Sequence, residues 1–131
     1  VEDFHAEKFP MHVPREFRLS DETLRYLTFE GHERLRLLED EDEIMPGLRC
    51  FWAGVHHRSS MCYVIDTEKG RVGLSDCLFK YGNLEDGEPL GIQESLEEYY
   101  ITAKRIKRET DIFVPLYEPD VVTRFPGGKI G

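Results

Sequence analysis

No run of eighteen consecutive apolar residues occurs in this chain, so no segment reads as a membrane-spanning helix. The opening stretch "VEDFHAEKFP" is acidic and lacks an apolar core. A secretory leader is therefore not expected, and a start at Val1 reads as a trimmed or processed chain. Cysteine is scarce and odd in number: Cys50, Cys62 and Cys77, with no C-x-x-C pair. That spacing excludes zinc-ribbon and thioredoxin-type chemistry. Each cysteine lies in or beside an apolar segment, where a free thiol behaves as a small hydrophobe, and a reduced, cytoplasmic setting is the simplest account. Basic charge is also short: 17 Lys and Arg against 26 Asp and Glu give a net charge of −9. A polyphosphate partner would approach against that field, so nucleic acid is not expected. Internal repeats and low-complexity tracts are absent too.

What is present is an ordinary globular composition. The chain has 131 residues, 40% hydrophobic and 33% charged, enough for one domain with a core. Residues 1–33 read as an irregular arm with Pro10 and Pro14, followed by a short helix, "DETLRYL", capped by Ser20. "RLRLLED" alternates Leu35 and Leu37 with charge, the period of a half-exposed strand. The acidic run Glu39–Glu43 reads as a solvated loop. After the Pro46-Gly47 turn, "LRCFWAG" and "MCYVIDT" are two strands, and "EKGR" is a hairpin with Gly70 at a positive φ. "VGLSD" is the next strand and ends at Asp76. Residues 77–91 carry four Gly or Pro residues and read as a loop. From Gln93 a helix is expected, with Leu96, Tyr99, Tyr100, Ala103 and Ile106 at helical spacing. "DIFVP" is a short buried strand, followed by a one- or two-turn helix and a glycine-rich tail. The order is β-meander, long helix, buried strand, short helix: an α/β unit.

Three strand exits carry capable side chains: His56 with His57 in "FWAGVHHRSSM", Asp76, and Tyr117 with Glu118. Loops at strand ends are where rigid scaffolds present functional groups, and His and Asp are the ligands expected for zinc or iron. "GHERLR" is not a metalloprotease helix, because Arg36 stands where the second histidine is needed, and "PGGKIG" lacks the spacing of a phosphate loop. His5 and His12 read as surface residues.

Taken together, "MPGLRCFWAGVHHRSS", "LSDCLFKYGNLEDGEPLGI" and "DIFVPLYEPDVVTRFPGGKIG" resemble the C-terminal half of a metallo-β-lactamase-fold hydrolase, in its N-acyl-homoserine-lactonase-like branch. The likeness covers residues 34–131. It implies half of an αββα sandwich and hydrolysis of a small cyclic ester or amide by metal-activated water. One or two divalent ions are implied, zinc or else iron. By position, His56 falls on a metal-binding histidine and Asp76 on the carboxylate that bridges two metals. Tyr117 stands where the last metal-binding histidine is usual; either it or Glu118 beside it is the substitute ligand, or that metal site is weakened or absent. Phe79 stands where relatives have a substrate-facing tyrosine, and Tyr81 is its expected replacement. His57 and Arg58 replace a smaller, neutral stretch and are expected, with Phe79, to touch substrate.

The family's first-half cluster, His-x-His-x-Asp-His, has no counterpart here. The resemblance therefore implies a subunit or a fragment, its missing cluster carried by a partner chain or by a further part of the same protein, with a small-molecule substrate and no activity on its own. The alternative is a non-catalytic structural or regulatory subunit built on the same half-fold.

Overall fold

The computed structural model describes residues 20–130. The proline-containing arm, with His5 and His12, lies outside them. The chain divides into two units between Leu37 and Leu38. In the first, Ser20 accepts a hydrogen bond from Thr23 N–H and caps helix α1, Asp21–Arg25. The predicted helix was longer. Its backbone instead widens into a π turn at Tyr26–Glu30 and then tightens into a 3₁₀ turn at His32–Arg34.

The second unit is a five-stranded sheet in sequential order, built from β1 (Glu41–Met45), β2 (Leu48–Trp52), β3 (Met61–Thr67), β4 (Gly70–Ser75) and β5 (Ile112–Pro115). Strands β1 to β4 pair antiparallel, as a meander, and β5 pairs parallel with β4. A parallel return needs a crossover, and α3 (Leu96–Glu109) supplies it. Ser95 caps α3 by accepting from Glu98 N–H; Glu97 and Glu98 fill the first turn, and Lys107 and Arg108 the last. Each charge complements the helix dipole. The helix thus starts at Leu96, three residues after the predicted onset.

Two sequence readings are corrected by the sheet. Leu35 and Leu37 do not form a strand and are 47% and 71% exposed. Most of the acidic run, read as a loop, is instead edge strand β1, alternating exposed and half-buried residues. An edge strand needs only one ladder, and its outward carboxylates stay in water and discourage edge-to-edge pairing. A further element was missed: α2, Tyr81–Glu85, lies within the stretch read as a loop.

Strand register sorts the side chains between two faces. Phe51 pairs with Cys62, and Val64, Gly73 and Phe113 stand in one row. These residues pack with Leu78 and Leu90 of the following loop and with Tyr99 and Ile106 of α3, forming one core. Burial pushes the Cys62 thiol far above its usual range and that of Cys77 up to about 12, so both act as inert hydrophobes. The opposite face carries the row Cys50, Tyr63, Leu74, Val114 and the row Leu48, Ile65, Val72, Ile112. None of these belongs to the core cluster, and Ile65 is 37% exposed.

Gly73 sits where α3 ends against the sheet. A Cβ there would stand 2.5 Å from Thr110 Cγ2 and 3.3 Å from Phe113 Cδ2. Thr110 has little room to yield, because its hydroxyl donates to Ile106 C=O at 2.8 Å. Gly73→Ala is expected to destabilise the unit by about 1–3 kcal/mol through overpacking. Urea denaturation would read this, and an unchanged midpoint would refute the close approach of α3 to β4.

Candidate functional site

The loop from β2 to β3 is held from several sides. Ala53 and Gly54 N–H both donate to Ser60 C=O, pinching its base. The Thr102 hydroxyl donates to Ala53 C=O at 2.7 Å. Val55 adopts φ +67°, a left-handed conformation costly for a β-branched residue. It is fixed there by its N–H to Glu98 Oε2 and by Glu94 N–H to its carbonyl. Trp52 Nε1–H reaches Arg58 C=O at 2.7 Å, and the Arg58 guanidinium pairs with Glu94 at 3.0 Å. The histidines thus stand on a braced loop, and Arg58 is part of the bracing.

At the neighbouring exit of β4, the Ser75 hydroxyl donates to Met61 C=O and accepts from Cys77 N–H. This ties β4 to β3 and sets the direction of Asp76. Asp76 lines a cavity of about 420 Å³ with His57, Ser59 and Ser60, whose apolar wall includes Met61, Tyr63, Leu74 and Leu116. Tyr63 and Leu74 place the cavity on the sheet face opposite the core. His57 Nδ1 accepts from Ser59 N–H at 3.4 Å, next to the Ser59 hydroxyl at 3.0 Å. A backbone N–H only donates, so the neutral ring carries its proton on Nε2. Ser60 is 5% exposed, and its hydroxyl is buried with no partner among the described residues. Burial, then the charges of Cys50 and Asp76, raises the Tyr63 phenol above its ordinary range. Tyr63 escaped sequence reasoning because a tyrosine in mid-strand carries no motif; only strand parity could have placed it beside Asp76.

His56 belongs to another group. Its ring stands edge-on to Phe79 at 4.5 Å and 6.5 Å from Tyr117, and Phe79 meets Tyr117 at 4.8 Å. His56 Nδ1 is buried without a hydrogen-bond partner among the described residues. Tyr117 is 55% exposed. Tyr81 lines neither group but a separate cavity beside α2.

The Glu118 carboxylate is engaged by the protein itself. It accepts from Tyr81 N–H at 3.1 Å and from Asp120 N–H at 3.2 Å. Those two bonds, with Lys80 nearby, hold its pKa below the usual carboxylate range. A depressed folded pKa stabilises above the unfolded value and is lost as pH falls through the folded one. Glu118→Gln is therefore expected to lower stability at neutral pH, with the difference from wild type vanishing below the carboxylate range. An equal difference at every pH would refute this charged capping role.

A catalytic zinc site takes three protein ligands and a water. Among the described residues no group of three His, Cys, Asp or Glu side chains could hold a metal ion. Two features fit part of such a site. One is the orphaned His56 Nδ1. The other is the half-buried Asp76 carboxylate, which makes no hydrogen bond or ion pair with the described residues. The donor set suits a contribution to a metal centre, not a whole one.

The mixed sheet and its crossover helix form part of a metallo-β-lactamase fold. Among solved structures, the chain is similar to an N-acyl homoserine lactone hydrolase with N-hexanoyl-L-homoserine bound at its catalytic metal centre: TM-score 0.59 and 23% identity over 70% of this chain and 40% of that one. A B. thuringiensis AiiA variant with N-decanoyl-L-homoserine at its active site gives the same TM-score, identity and coverage. A quorum-quenching N-acyl homoserine lactone lactonase matches with a TM-score of 0.58 at 23% identity, over 70% of this chain and 41% of that one. The chain thus spans about 40% of the length of these structures. No family model and no curated protein matches the sequence.

Proposed function

We propose that this chain supplies the C-terminal half of a metal-dependent hydrolase acting on a small cyclic ester or amide. The remaining metal ligands would come from polypeptide outside these 131 residues, a partner chain with a His-x-His-x-Asp-His cluster. The observation that carries the reading is Asp76: a half-buried carboxylate without a hydrogen bond or ion pair among the described residues, at a strand exit, on the wall of a cavity. A carboxylate left open in this way is available as a ligand for a cation. The likeness to lactonases, one with a catalytic metal centre, supports the same assignment. So does the second sheet face, where Leu48, Tyr63, Leu74 and Ile112 are only partly buried and Ile65 is exposed, which suits a second layer of an αββα sandwich.

In this reading Asp76 and His56 would hold the metal, with Tyr117 the further candidate; Glu118 already serves two backbone N–H groups. A bound divalent ion lowers the pKa of water and polarises a carbonyl. The chain's own part is substrate positioning. Ser60 offers a buried hydroxyl, His57 a ring fixed by Ser59, and Met61, Leu74 and Leu116 an apolar wall. Phe79 packs against His56 and orients that ring. Arg58 acts through the loop it braces.

A second reading, a non-catalytic subunit, is favoured by the absence of a three-ligand group among the described residues. A copurified assembly tested on acyl homoserine lactones, simple lactones and amides separates the two. Turnover that a chelator abolishes and added metal restores is expected. A metal-replete assembly inert toward every substrate would leave the non-catalytic role.

A further inference from the structure

A cavity of about 320 Å³ lies between α2, the C-terminal end of α3, the start of β5 and α4 (Val121–Arg124). Phe113, which faces the core, is among its walls, whereas the Asp76 cavity is lined from the other face by Tyr63 and Leu74. Its walls are apolar at Leu84, Phe113 and Phe125, and Tyr81 lines it as well. Tyr81 is 6% exposed, and its hydroxyl is buried with no hydrogen-bond partner among the described residues. Buried phenols normally find a partner, and one left without carries the penalty of an unmade bond.

The rim carries charges of both signs, Arg124 and Lys107 beside Glu85 and Asp111. Arg124 lies over the Tyr81 ring at 3.4 Å and grips the Glu85 carboxylate with both terminal nitrogens. Lys107 also lines the cavity, and among the described residues it makes no hydrogen bond or ion pair; it acts on Glu85 through charge alone. Glu85 is taken up by Arg124 and Asp111 by Arg71, which leaves Lys107 as the cation on the rim outside an ion pair with the described residues. A planar guanidinium fork is the group best matched to a carboxylate.

We propose that this cavity is a binding site for a small monocarboxylate with an apolar body. The ligand's carboxylate takes the place of Glu85 on Arg124, with Lys107 supplying the second positive charge. Its body lies against Leu84, Phe113 and Phe125, and a polar atom satisfies the Tyr81 hydroxyl. The volume, at the lower end for ligand pockets, limits the occupant to a fragment such as a short-chain or single-ring acid. The site stands apart from the Asp76 cavity and does not depend on the hydrolase reading.

Isothermal titration calorimetry of the full protein with hexanoate, and with hexan-1-ol as uncharged control, tests the proposal. Hexanoate should bind saturably, one per chain, and hexan-1-ol at least roughly tenfold more weakly. Lys107→Ala and Tyr81→Phe, both mild for folding, should each weaken hexanoate by roughly threefold to tenfold, the worth of one such contact. Glu85→Gln removes the internal competitor and should tighten binding. Glu97→Gln, the same charge change outside the cavity, should leave it unchanged. No saturable binding, or binding indifferent to Lys107→Ala and Glu85→Gln, would overturn the proposal.

Discussion

Replacing Asp76 with alanine is expected to abolish metal retention in the complete assembly while leaving the fold intact. The carboxylate makes no hydrogen bond or ion pair with the described residues, so its loss breaks none there. Its neighbour Ser75, not Asp76 itself, ties β4 to β3 through Met61. The expected change in stability is within about 0.5 kcal/mol, as for substitutions that break nothing. Outer-shell partners of metal ligands already alter affinity roughly 10–100-fold, so loss of a ligand should exceed about a hundredfold. Asp76→Asn should fall nearly as far, because the neutral amide is a poor ligand for a hard cation. Metal analysis after gel filtration reads both. Wild-type metal content in both variants would remove Asp76 from any metal centre.

Tyr99→Ala should have the largest effect on folding, about 3–5 kcal/mol, the range for emptying a large aromatic from a core. Tyr99 is 1% exposed and belongs to the core cluster. Domains of this size have about 5–15 kcal/mol in total, so roughly a fifth or more would be lost. Its hydroxyl also donates to Asn83 C=O at 2.6 Å. Tyr99→Phe keeps the packing and leaves that carbonyl short of a donor, for about 1–2 kcal/mol. The Asn83 side chain in turn accepts from Phe79 and Lys80 N–H at 3.0 and 2.8 Å. Both variants should therefore loosen the segment that sets Phe79 against His56. Urea denaturation separates the two contributions: if Phe were as damaging as Ala, the hydrogen bond rather than the ring would be the anchor.

How far the sequence speaks depends on how local each signal is. β2, β3 and β5 were legible as apolar runs between turn residues, and α3 through its spacing of Leu96, Tyr99 and Ile106. The meander followed by a helix and a buried strand was readable for the same reason. β1 was not, because its acidic residues are those of a loop, and only pairing with β2 makes them a strand. α2 was hidden among glycines. Asp76 could be singled out as the last polar residue of a strand. By contrast, Glu118 looked like a ligand and is engaged by Tyr81 N–H, 37 residues away in sequence. His57 and Asp76 share a cavity wall only through the register of β3 with β4. Long-range partners of this kind leave no mark on local sequence.

The central claim is that the metal site is completed from outside these 131 residues. Native mass spectrometry of the purified material, with metal analysis of each species, tests it most directly. The account predicts that the isolated chain carries no stoichiometric metal, and that one or two ions travel with a complex containing the His-x-His-x-Asp-His cluster. A monomer of this chain alone that binds two metal ions and hydrolyses lactones would contradict it.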